Sequence, residues 1–304
     1  MEVVAKLEDL LPGPPSVVTV GVFDGVHLGH QEIMNKVTSF ACAQSLRSVA
    51  VTFDRDPEEI VNPSKPPYRI TTLEQKLRLI ADQKIDLALV LPLSGRILEM
   101  TAEQFVTGVL CNRLNAVSIV VGEDFAFGKG RVGNADLLLK MGQDLGFTVT
   151  VVPPVRVGDD IVSSTTIRQL LGAGKIESAN RLLGHAYALE GVVVPGAGFG
   201  RQLGFPTANI DPDKSQILPP FGVYTVSVEI DGKRWRGAAS IGDKPTLGDS
   251  HTTIEVYVIG FTGDLYGKPI EVEFLKRLRD QERFASIEDL KRQIAIDIEN
   301  VMQF

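Results

Sequence analysis

The stretch Val17-Val-Thr-Val-Gly-Val-Phe-Asp-Gly-Val-His-Leu-Gly-His30 decides the fold of the N-terminal half of the chain. It begins as a run of β-branched residues and passes through closely spaced glycines into a segment with a helical pattern. Such a strand-to-helix turn is typical of an open α/β sheet, where ligands bind outside the carboxyl ends of the strands. The sequence therefore predicts a ligand site at this turn.

The alternation of strand and helix patterns continues along the first half of the chain. Two capping boxes, Thr71 to Glu74 and Thr101 to Gln104, predict helix starts, and two more short helices are predicted through Leu171 and Leu183. The pattern predicts a doubly wound α/β domain with a parallel sheet over residues 1–184. The predicted strands are apolar runs at 17–22, 48–53, 86–91, 117–121 and 148–152.

The pattern changes near Tyr187 to successive short strands separated by Gly, Pro and Asp turns, among them the hairpin signal Asp231-Gly232. Short strands without intervening helices predict an antiparallel β-barrel over residues 185–304. The predicted strands are 188–194, 223–230, 235–241, 253–261 and 270–274. A closing helix is predicted after Ser286, with an apolar stripe formed by Ile287, Leu290, Ile294, Ile298 and Val301.

Composition limits the classes of function. The chain has 304 residues, 44% of them hydrophobic, which allows two domains with separate cores. Its net charge of −7 leaves no broad basic face for a nucleic acid or an anionic membrane surface. Cys42 and Cys111 are too far apart in sequence to indicate a zinc or redox motif, and we expect a reducing compartment.

The remaining compositional signals concern location and assembly. The first residues carry acidic side chains and prolines instead of a basic flank and an apolar run, so we expect no signal peptide. No apolar stretch approaches the length of a membrane span. We expect a cytoplasmic protein that is a monomer or a weak homo-oligomer.

His27 and His30 carry the chemistry of the first turn. If the helix begins at Leu28, the spacing of three residues places both imidazoles on one side of its N-terminus, where free N–H groups favour anions. Gly25 and Gly29 allow phosphate to approach closely. Two hydrogen-bond donors at such a point suit nucleotidyl transfer, in which negative charge builds on the α-phosphate. The alternative is that the histidines only cap the helix.

Two further segments carry phosphate-binding chemistry. Ser163 to Arg168 places hydroxyls and a guanidinium at a predicted helix start, although such residues also serve as plain N-caps. The loop Gly196 to Asn209 has four glycines, the cationic Arg201, and the oxygen-bearing Thr207 and Asn209 that suit Mg²⁺. Its alternative is a flexible hairpin loop. Glu255 lies in an apolar strand, and an ordinary solvent-facing residue is its default interpretation.

The stretch Gly128-Lys-Gly-Arg-Val-Gly133 matches the G-x-G-x-x-G pattern of dinucleotide-binding proteins and precedes a helix. It is separated from the preceding strand by residues 123–127, and the strand that follows ends without a ribose-binding acid. An NAD-dependent oxidoreductase is therefore the least favoured alternative. We expect an anion-handling or mobile loop.

The chain as a whole resembles the bacterial bifunctional riboflavin kinase/FMN adenylyltransferase family. The likeness covers nearly all of the sequence, in motifs that are specific in combination. They are GVFDGVHLGH at 21–30, VGEDFAFG at 121–128, VSSTTIR at 162–168, LGFPTAN at 203–209, GVYTV at 222–226, IGDKPT at 241–246 and GDLYGKPIEVEF at 263–274. The resemblance implies an N-terminal nucleotidyltransferase-type sheet, a C-terminal kinase barrel, and Mg²⁺ with riboflavin, ATP, FMN and FAD as substrates or products.

The resemblance also implies roles for individual residues. It implies that His27 and His30 stabilise the transferring α-phosphate, and that Glu255 accepts the proton of the ribityl hydroxyl. It implies Mg²⁺-ATP ligands at Thr207 and Asn209. The implied ATP and phosphate contacts are Gly21, Phe23, Gly29, Ser164, Thr165, Arg168, Gly200 and Arg201, and the implied flavin contacts are Asp124, Phe125 and Arg279.

The chain departs from the family pattern at two places. Asp56, beside Arg55, stands where the family has a histidine. Two residues after Arg279 the family has an acidic residue; this chain has Gln281 there, and the acid follows one place later as Glu282. Two alternatives stay open: a nucleotidyltransferase with another phosphate-bearing acceptor, and a non-catalytic flavin-binding or regulatory protein, which the replacement at Asp56 favours.

Overall fold

The computed structural model describes residues 1–62, 64, 68–196, 198–243 and 252–304. The chain divides into two compact units, Met1–Ser164 and Thr165–Phe304. In the part of the chain that is described, no helix is long and apolar enough to cross a membrane.

The first unit is built on a six-stranded parallel sheet in the order β1-β4-β3-β2-β5-β8. Its strands are β1 (Glu2–Val4), β2 (Ser16–Val20), β3 (Arg47–Phe53), β4 (Leu87–Leu91), β5 (Ala116–Gly122) and β8 (Thr148–Val152). Alternate residues of a strand join hydrophobic cores on opposite faces, as Val17 and Val18 do. Both faces of the sheet are covered, which explains why the strands read as continuous apolar runs.

Helices connect the strands of the sheet, and short two-residue strands pair in its loops as β6 with β7 and β9 with β10. The helices are α1 (Leu28–Gln44), α2 (Pro57–Val61), α3 (Leu73–Asp82), α4 (Arg96–Glu99), α5 (Ala102–Phe105), which continues as a π-helix over Val106–Cys111, and α6 (Ala135–Leu145). The short strands are β6 (Ala126–Phe127), β7 (Gly133–Asn134), β9 (Arg156–Val157) and β10 (Asp160–Ile161).

The predicted doubly wound sheet is confirmed, with two differences in detail. The edge strand β1 was not predicted, because three residues carry too little periodicity to register as a strand. The capping box expected at Thr71 is wrong by one residue: Thr72 caps α3 and its partner is Gln75. The box at Thr101 and Gln104 is confirmed.

The second unit contains a closed antiparallel barrel in the order β11-β12-β15-β14-β13-β16. Its strands are β11 (Tyr187–Val194), β12 (Ala208–Pro212), β13 (Gly222–Ile230), β14 (Lys233–Asp243), β15 (Thr252–Val258) and β16 (Pro269–Asp280). Its helices are α7 (Ser164–Gly172), which starts at the last residue of the first unit, α8 (Ile176–Leu183), α9 (Phe199–Leu203) and α10 (Ile287–Gln303).

The predicted barrel and closing helix are confirmed, again with local corrections. β12 and α9 lie in a segment that was predicted as a loop. The stripe predicted for α10 is wrong at Ile287, which is 56% exposed, whereas the charged Asp297 is buried.

Helix α8 belongs with the barrel by its contacts. Asn180 donates from its side chain to the carbonyl of Phe274 at 2.8 Å and accepts from the backbone N–H of Tyr187 at 2.8 Å. The two compact units divide between residues 164 and 165, and α8 therefore lies in the second unit. The domain boundary predicted from the sequence lies at 184/185.

Candidate active sites in the two units

The two histidines of the first turn lie against each other at the start of α1. His27 is the N-cap, and its Nδ1 accepts a hydrogen bond from the backbone N–H of His30 at 3.3 Å. The two rings stack with centroids 3.5 Å apart and planes 17° apart. The helix start at Leu28 that the spacing required is therefore present, and the predicted pair forms one imidazole cluster.

The backbone that leads to this cluster is strained. Phe23 has a φ of 53° and the β-branched Val26 a φ of 38°, in the left-handed region that such side chains rarely adopt. The Phe23 ring meets His30 edge-on, with centroids 5.2 Å apart. Strain of this kind persists only where surrounding contacts hold it, and it is frequent at active sites.

Gly21 and Gly29 make room for these rings. A Cβ at Gly21 would lie 2.7 Å from the Phe23 ring, and a Cβ at Gly29 would lie 3.1 Å from the ring of His27. Side chains at either position would displace the aromatic residues that surround His30. The structure thus gives both glycines a role in packing, besides the phosphate contacts that were predicted for them.

The loop after β2 lies at the switch point of the sheet, because the chain proceeds from β2 to β3 on one side while β5 flanks the other. Asp124 and Phe125 follow β5 at the same edge. Asp124 is exposed, and Phe125 is half-buried and stacks on Phe127 with centroids 5.1 Å apart. Both predicted flavin contacts therefore follow a strand that borders β2.

The environment of His30 favours a neutral imidazole. Burial lowers the pKa of His30 well below 6.5, and the positive charges of His27 and Lys76 lower it further. Its Nδ1 is buried and has no hydrogen-bond partner among the described residues. A neutral ring carries one N–H donor, which is the group that a developing phosphate charge requires.

Two residues of this site were not predicted, namely Asp24 and Lys76. The carboxylate of Asp24 accepts from the backbone N–H groups of Ile70 and Thr71 at 3.0 and 3.1 Å. Lys76 lies on the buried face of α3, one turn before Ile80. A charged residue within the apolar stripe of a helix was the signal that could have revealed it.

The helix start at Ser164 is connected to the first turn. Ser164 donates from its hydroxyl to the carbonyl oxygen of Asp24 at 2.9 Å, within the first unit. Thr165 and Arg168 follow in the same helix and belong to the second unit, where Thr165 is exposed and Arg168 is half-buried. The structure thus brings Ser164 to the histidine loop.

Asp56 has a structural role where the family pattern has a histidine. It is the N-cap of α2, accepts from the backbone N–H of Glu58 at 3.0 Å, and forms a capping box with Glu59. Pro57 occupies the first helical position. The substitution is therefore explained locally by helix capping, for which aspartate is preferred.

In the second unit, Thr207 and Glu255 lie in contact, with the Thr207 hydroxyl donating to Glu255 Oε2 at 3.2 Å. Asn209 is directly opposite Glu255 in the β12–β15 ladder and is buried. Glu255 points away from the core that its neighbours Ile254 and Val256 fill. The structure brings together the three oxygen-bearing side chains that were predicted for the kinase site.

The segment that precedes β12 covers this polar face. Phe205 packs edge-on against Tyr257, with ring centroids 5.7 Å apart, on the same side of β15 as Glu255. A Cβ at Gly200 would lie 2.4 Å from the Phe205 carbonyl oxygen, so the segment can only close with glycine there. Arg201 is exposed. Residues Phe199–Leu203 form a short helix in the connection between the antiparallel strands β11 and β12.

Arg279 is held by an acid on the closing helix. Its Nε and Nη2 donate to the Asp297 carboxylate at 3.0 and 2.8 Å, and Gln293 donates to the same carboxylate at 3.0 Å. Gln281 and Glu282, where the chain departs from the family pattern, are exposed. The structure therefore gives Arg279 a carboxylate partner in α10 that the sequence did not indicate.

The G-x-G-x-x-G stretch, possible metal-binding groups and the motif at 241–246 remain to be placed. The G-x-G-x-x-G stretch is the tip of the β6–β7 hairpin, and Lys129 in it forms an ion pair with Glu99 at 2.6 Å. The described residues contain no group of three or more His, Cys, Asp or Glu side chains that could hold a metal ion. The last three residues of the motif at 241–246 lie outside the described residues.

Two family models match the chain, and together they cover most of it. The FAD synthetase model matches residues 13–166, and the riboflavin kinase model matches residues 183–304. Each match falls largely within one compact unit, and the intervening residues form the end of α7 and most of α8.

Curated relatives extend the similarity over the whole chain. A bifunctional riboflavin kinase/FMN adenylyltransferase of Pseudomonas fluorescens is 38% identical over 98% of this chain and 96% of its own length. The protein of that name from Escherichia coli K12 is 37% identical over the same shares. A solved structure from Streptococcus pneumoniae, described as a macrolide-efflux protein, is 31% identical with a TM-score of 0.91, and covers 99% of this chain and 98% of that one.

Proposed function

The chain belongs to the bifunctional riboflavin kinase/FMN adenylyltransferase family, and from this premise we propose how its two units divide the work. The enzyme phosphorylates riboflavin to FMN with ATP. It then transfers an adenylyl group from a second ATP to FMN, which gives FAD and pyrophosphate. We assign adenylyl transfer to the histidine site of the first unit and phosphorylation to the Glu255 site of the barrel.

In adenylyl transfer, a phosphate oxygen of FMN attacks the α-phosphorus of ATP and the bond to the pyrophosphate oxygen breaks. Negative charge increases on the α-phosphate oxygens in the transition state. His27 and His30 are the donors that stabilise this charge, because they form one cluster at the N-terminus of α1. Proton transfer to a covalent nucleophile is not required, which fits a neutral His30.

The remaining phosphate contacts of this reaction come from α7 and the glycine-rich turn. Ser164, the last residue of the first unit, is hydrogen-bonded to the carbonyl oxygen of Asp24 in the histidine loop. We assign Thr165 and Arg168 to the phosphates of ATP, since a hydroxyl and a guanidinium suit these anions. Asp124 and Phe125, at the end of β5, are assigned to the flavin.

In riboflavin phosphorylation, the oxygen of the ribityl hydroxyl bonds to the γ-phosphorus of ATP, and ADP leaves. Glu255 accepts the proton that this hydroxyl loses. A carboxylate suits this task if it lies within hydrogen-bond reach of the nucleophile. Glu255 lies on the polar face of β15, beside Thr207 and beneath the segment that carries Gly200 and Arg201. We assign that segment to the ATP phosphates and Arg279 to the flavin side.

The donor set of the barrel fits Mg²⁺. Thr207, Asn209 and Glu255 present hydroxyl, amide and carboxylate oxygens in one patch. Mg²⁺ prefers oxygen ligands and is commonly held by one or two protein groups together with substrate phosphates. When bound, the ion neutralises charge on the phosphates. We assign Thr207 and Asn209 as its protein ligands.

The surroundings of the enzyme are part of the same proposal. We propose a cytoplasmic protein, monomeric or weakly self-associating, whose partners are small flavins and nucleotides. Its net charge of −7 supports the absence of a nucleic-acid partner.

The observation that carries the proposal is that each unit assembles its own predicted constellation, the stacked imidazoles in one and the Thr207–Glu255 contact in the other. The test is a time course with purified protein, riboflavin, ATP and Mg²⁺, in which the flavins are separated chromatographically. We expect FMN to rise first and FAD to follow. Untouched riboflavin would refute the kinase, and accumulation of FMN without FAD would refute the adenylyltransferase.

A further inference from the structure

Lys76 is a buried lysine that the reaction described above does not use. It is 6% exposed, although lysine is rarely buried without a partner. Its Nζ donates to the carbonyl oxygen of Phe53 at 2.8 Å, at the end of β3, and to that of Val22 at 3.1 Å, just after β2. The lysine thus ties the glycine-rich turn to the adjacent strand.

The segment around Lys76 holds the same turn at a second point. The Asp24 carboxylate accepts from the backbone of Ile70 and Thr71, and the Thr71 hydroxyl accepts from the N–H of Gly25 at 3.1 Å. These contacts hold Val22, Asp24 and Gly25, and the residues with left-handed backbone in the turn, Phe23, Gly25 and Val26, are among them or next to them. A strained turn keeps its shape only if its surroundings determine it fully.

We propose that Lys76 is a positioning residue for adenylyl transfer, whose ammonium group anchors the turn after β2 in the conformation that stacks His27 on His30. The inference rests on the proposed role of this histidine pair. The contacts of Lys76 are to two main-chain oxygens, that of Val22 in the turn and that of Phe53 at the end of β3, so an apolar side chain of equal length cannot replace them.

The charge of Lys76 acts on His30. The charged side chains that influence Lys76 are Asp24, Asp54, Asp56 and Arg69. Burial lowers the pKa of Lys76 from 10.5 to about 8, and Asp24 opposes this shift. Near neutral pH the lysine therefore stays charged, and its charge contributes to the lowered pKa of His30. Removing the charge should raise the pKa of His30.

The test compares Lys76→Met, which removes donor and charge, with Lys76→Arg, which retains both. FAD formation from supplied FMN should fall about a hundredfold in Lys76→Met, as expected when reacting groups are misplaced by about 1 Å. The loss should be mainly in kcat, and Lys76→Arg should recover part of it. FMN formation by the barrel should remain normal in both variants. Lys140→Met, at an exposed lysine of the same unit, is the matched control.

A second measurement separates positioning from a purely structural role. The chain has four histidines, so NMR titration can follow the His30 imidazole individually. Its pKa should rise in Lys76→Met and stay near the native value in Lys76→Arg. If Lys76→Met does not fold, Lys76→Gln replaces it, because the amide still donates but carries no charge.

Native FAD formation together with an unchanged pKa of His30 in a folded, uncharged variant would overturn the proposal. A failure of the histidine assignment can be distinguished from a failure of the role proposed for Lys76. If His30→Ala makes FAD at the native rate, the assignment of the histidine pair fails. If His30→Ala is inactive while Lys76→Met is normal, only the role of the lysine fails.

Discussion

Replacing Glu255 with glutamine tests the assignment of the kinase base with little disturbance of structure. The glutamine amide has the shape of the carboxylate, and its oxygen can still accept the Thr207 hydroxyl, which lies 3.2 Å from Glu255 Oε2. The variant should therefore fold and bind ATP. What it loses is the basic group that takes the ribityl proton.

The expected loss follows from that single change. A positioned general base contributes about a hundred- to ten-thousandfold in rate, which corresponds to about 2.7–5.4 kcal/mol of barrier. Since the substrate contacts are kept, the loss should be in kcat with little change in KM.

The assay uses the second activity as an internal control. FMN formation from riboflavin is measured beside FAD formation from supplied FMN, in the same preparation. We expect the first to fall and the second to remain. Glu229→Gln is the matched control, because Glu229 is an exposed glutamate on the barrel strand β13. Native FMN formation in Glu255→Gln would refute the base assignment, and equal loss of both activities would indicate a shared site or misfolding.

Four further predictions follow from the two sites. Replacing either histidine of the stacked pair with alanine should lower FAD formation about a hundred- to a thousandfold while FMN formation continues; near-native FAD synthesis would sink that assignment. Because the pKa of His30 is held well below 6.5, FAD formation should not fall through its protonation until the pH is well below 6.5, and an acid limb at pH 6.5 in the pH–rate profile would contradict this. Asp297→Ala leaves the largely buried guanidinium of Arg279 without its carboxylate partner. The free energy of unfolding of the barrel, measured by urea denaturation, should therefore fall by about 3–5 kcal/mol. Unchanged stability would show that this ion pair does not hold α10 on the barrel. A fragment 1–184 should convert FMN to FAD, and a fragment 165–304 should phosphorylate riboflavin and stop at FMN. The second fragment should also be more stable than a barrel fragment that lacks α8. If both fragments fold but neither is active, the domain assignment is wrong.

Local signals in the sequence were sufficient for most of the secondary structure. The apolar run at 148–152 is a strand with the same bounds in the structure, and the cap at Ser286 opens the closing helix. Such features depend on residues a few positions apart, whose spacing reports which face is buried and where backbone groups need a partner. The stacked histidines belong to the same class, because their separation of three residues at a helix start places them side by side.

Elements that depend on distant partners were missed. Strand β1 is three residues long and is a strand because β4 lies beside it. Strand β12 is held between β11 and β15, and its own sequence reads as a loop. The strand order of the sheet, which puts β2 and β5 at the switch point, also has no local signature.

The sequence alone determined the fold of each half and the family, because these depend on periodicity and on motifs in continuous segments, and from the same motifs it predicts the residues of both sites. Only the tertiary structure decided which polar groups are buried together. Lys76 lies against the carbonyls of Val22 and Phe53, and Asp297 meets Arg279, through contacts between separate elements. The physical reason is that the environment of a charge, and hence its pKa and its partner, is created by packing of distant segments and is not encoded in its neighbours along the chain.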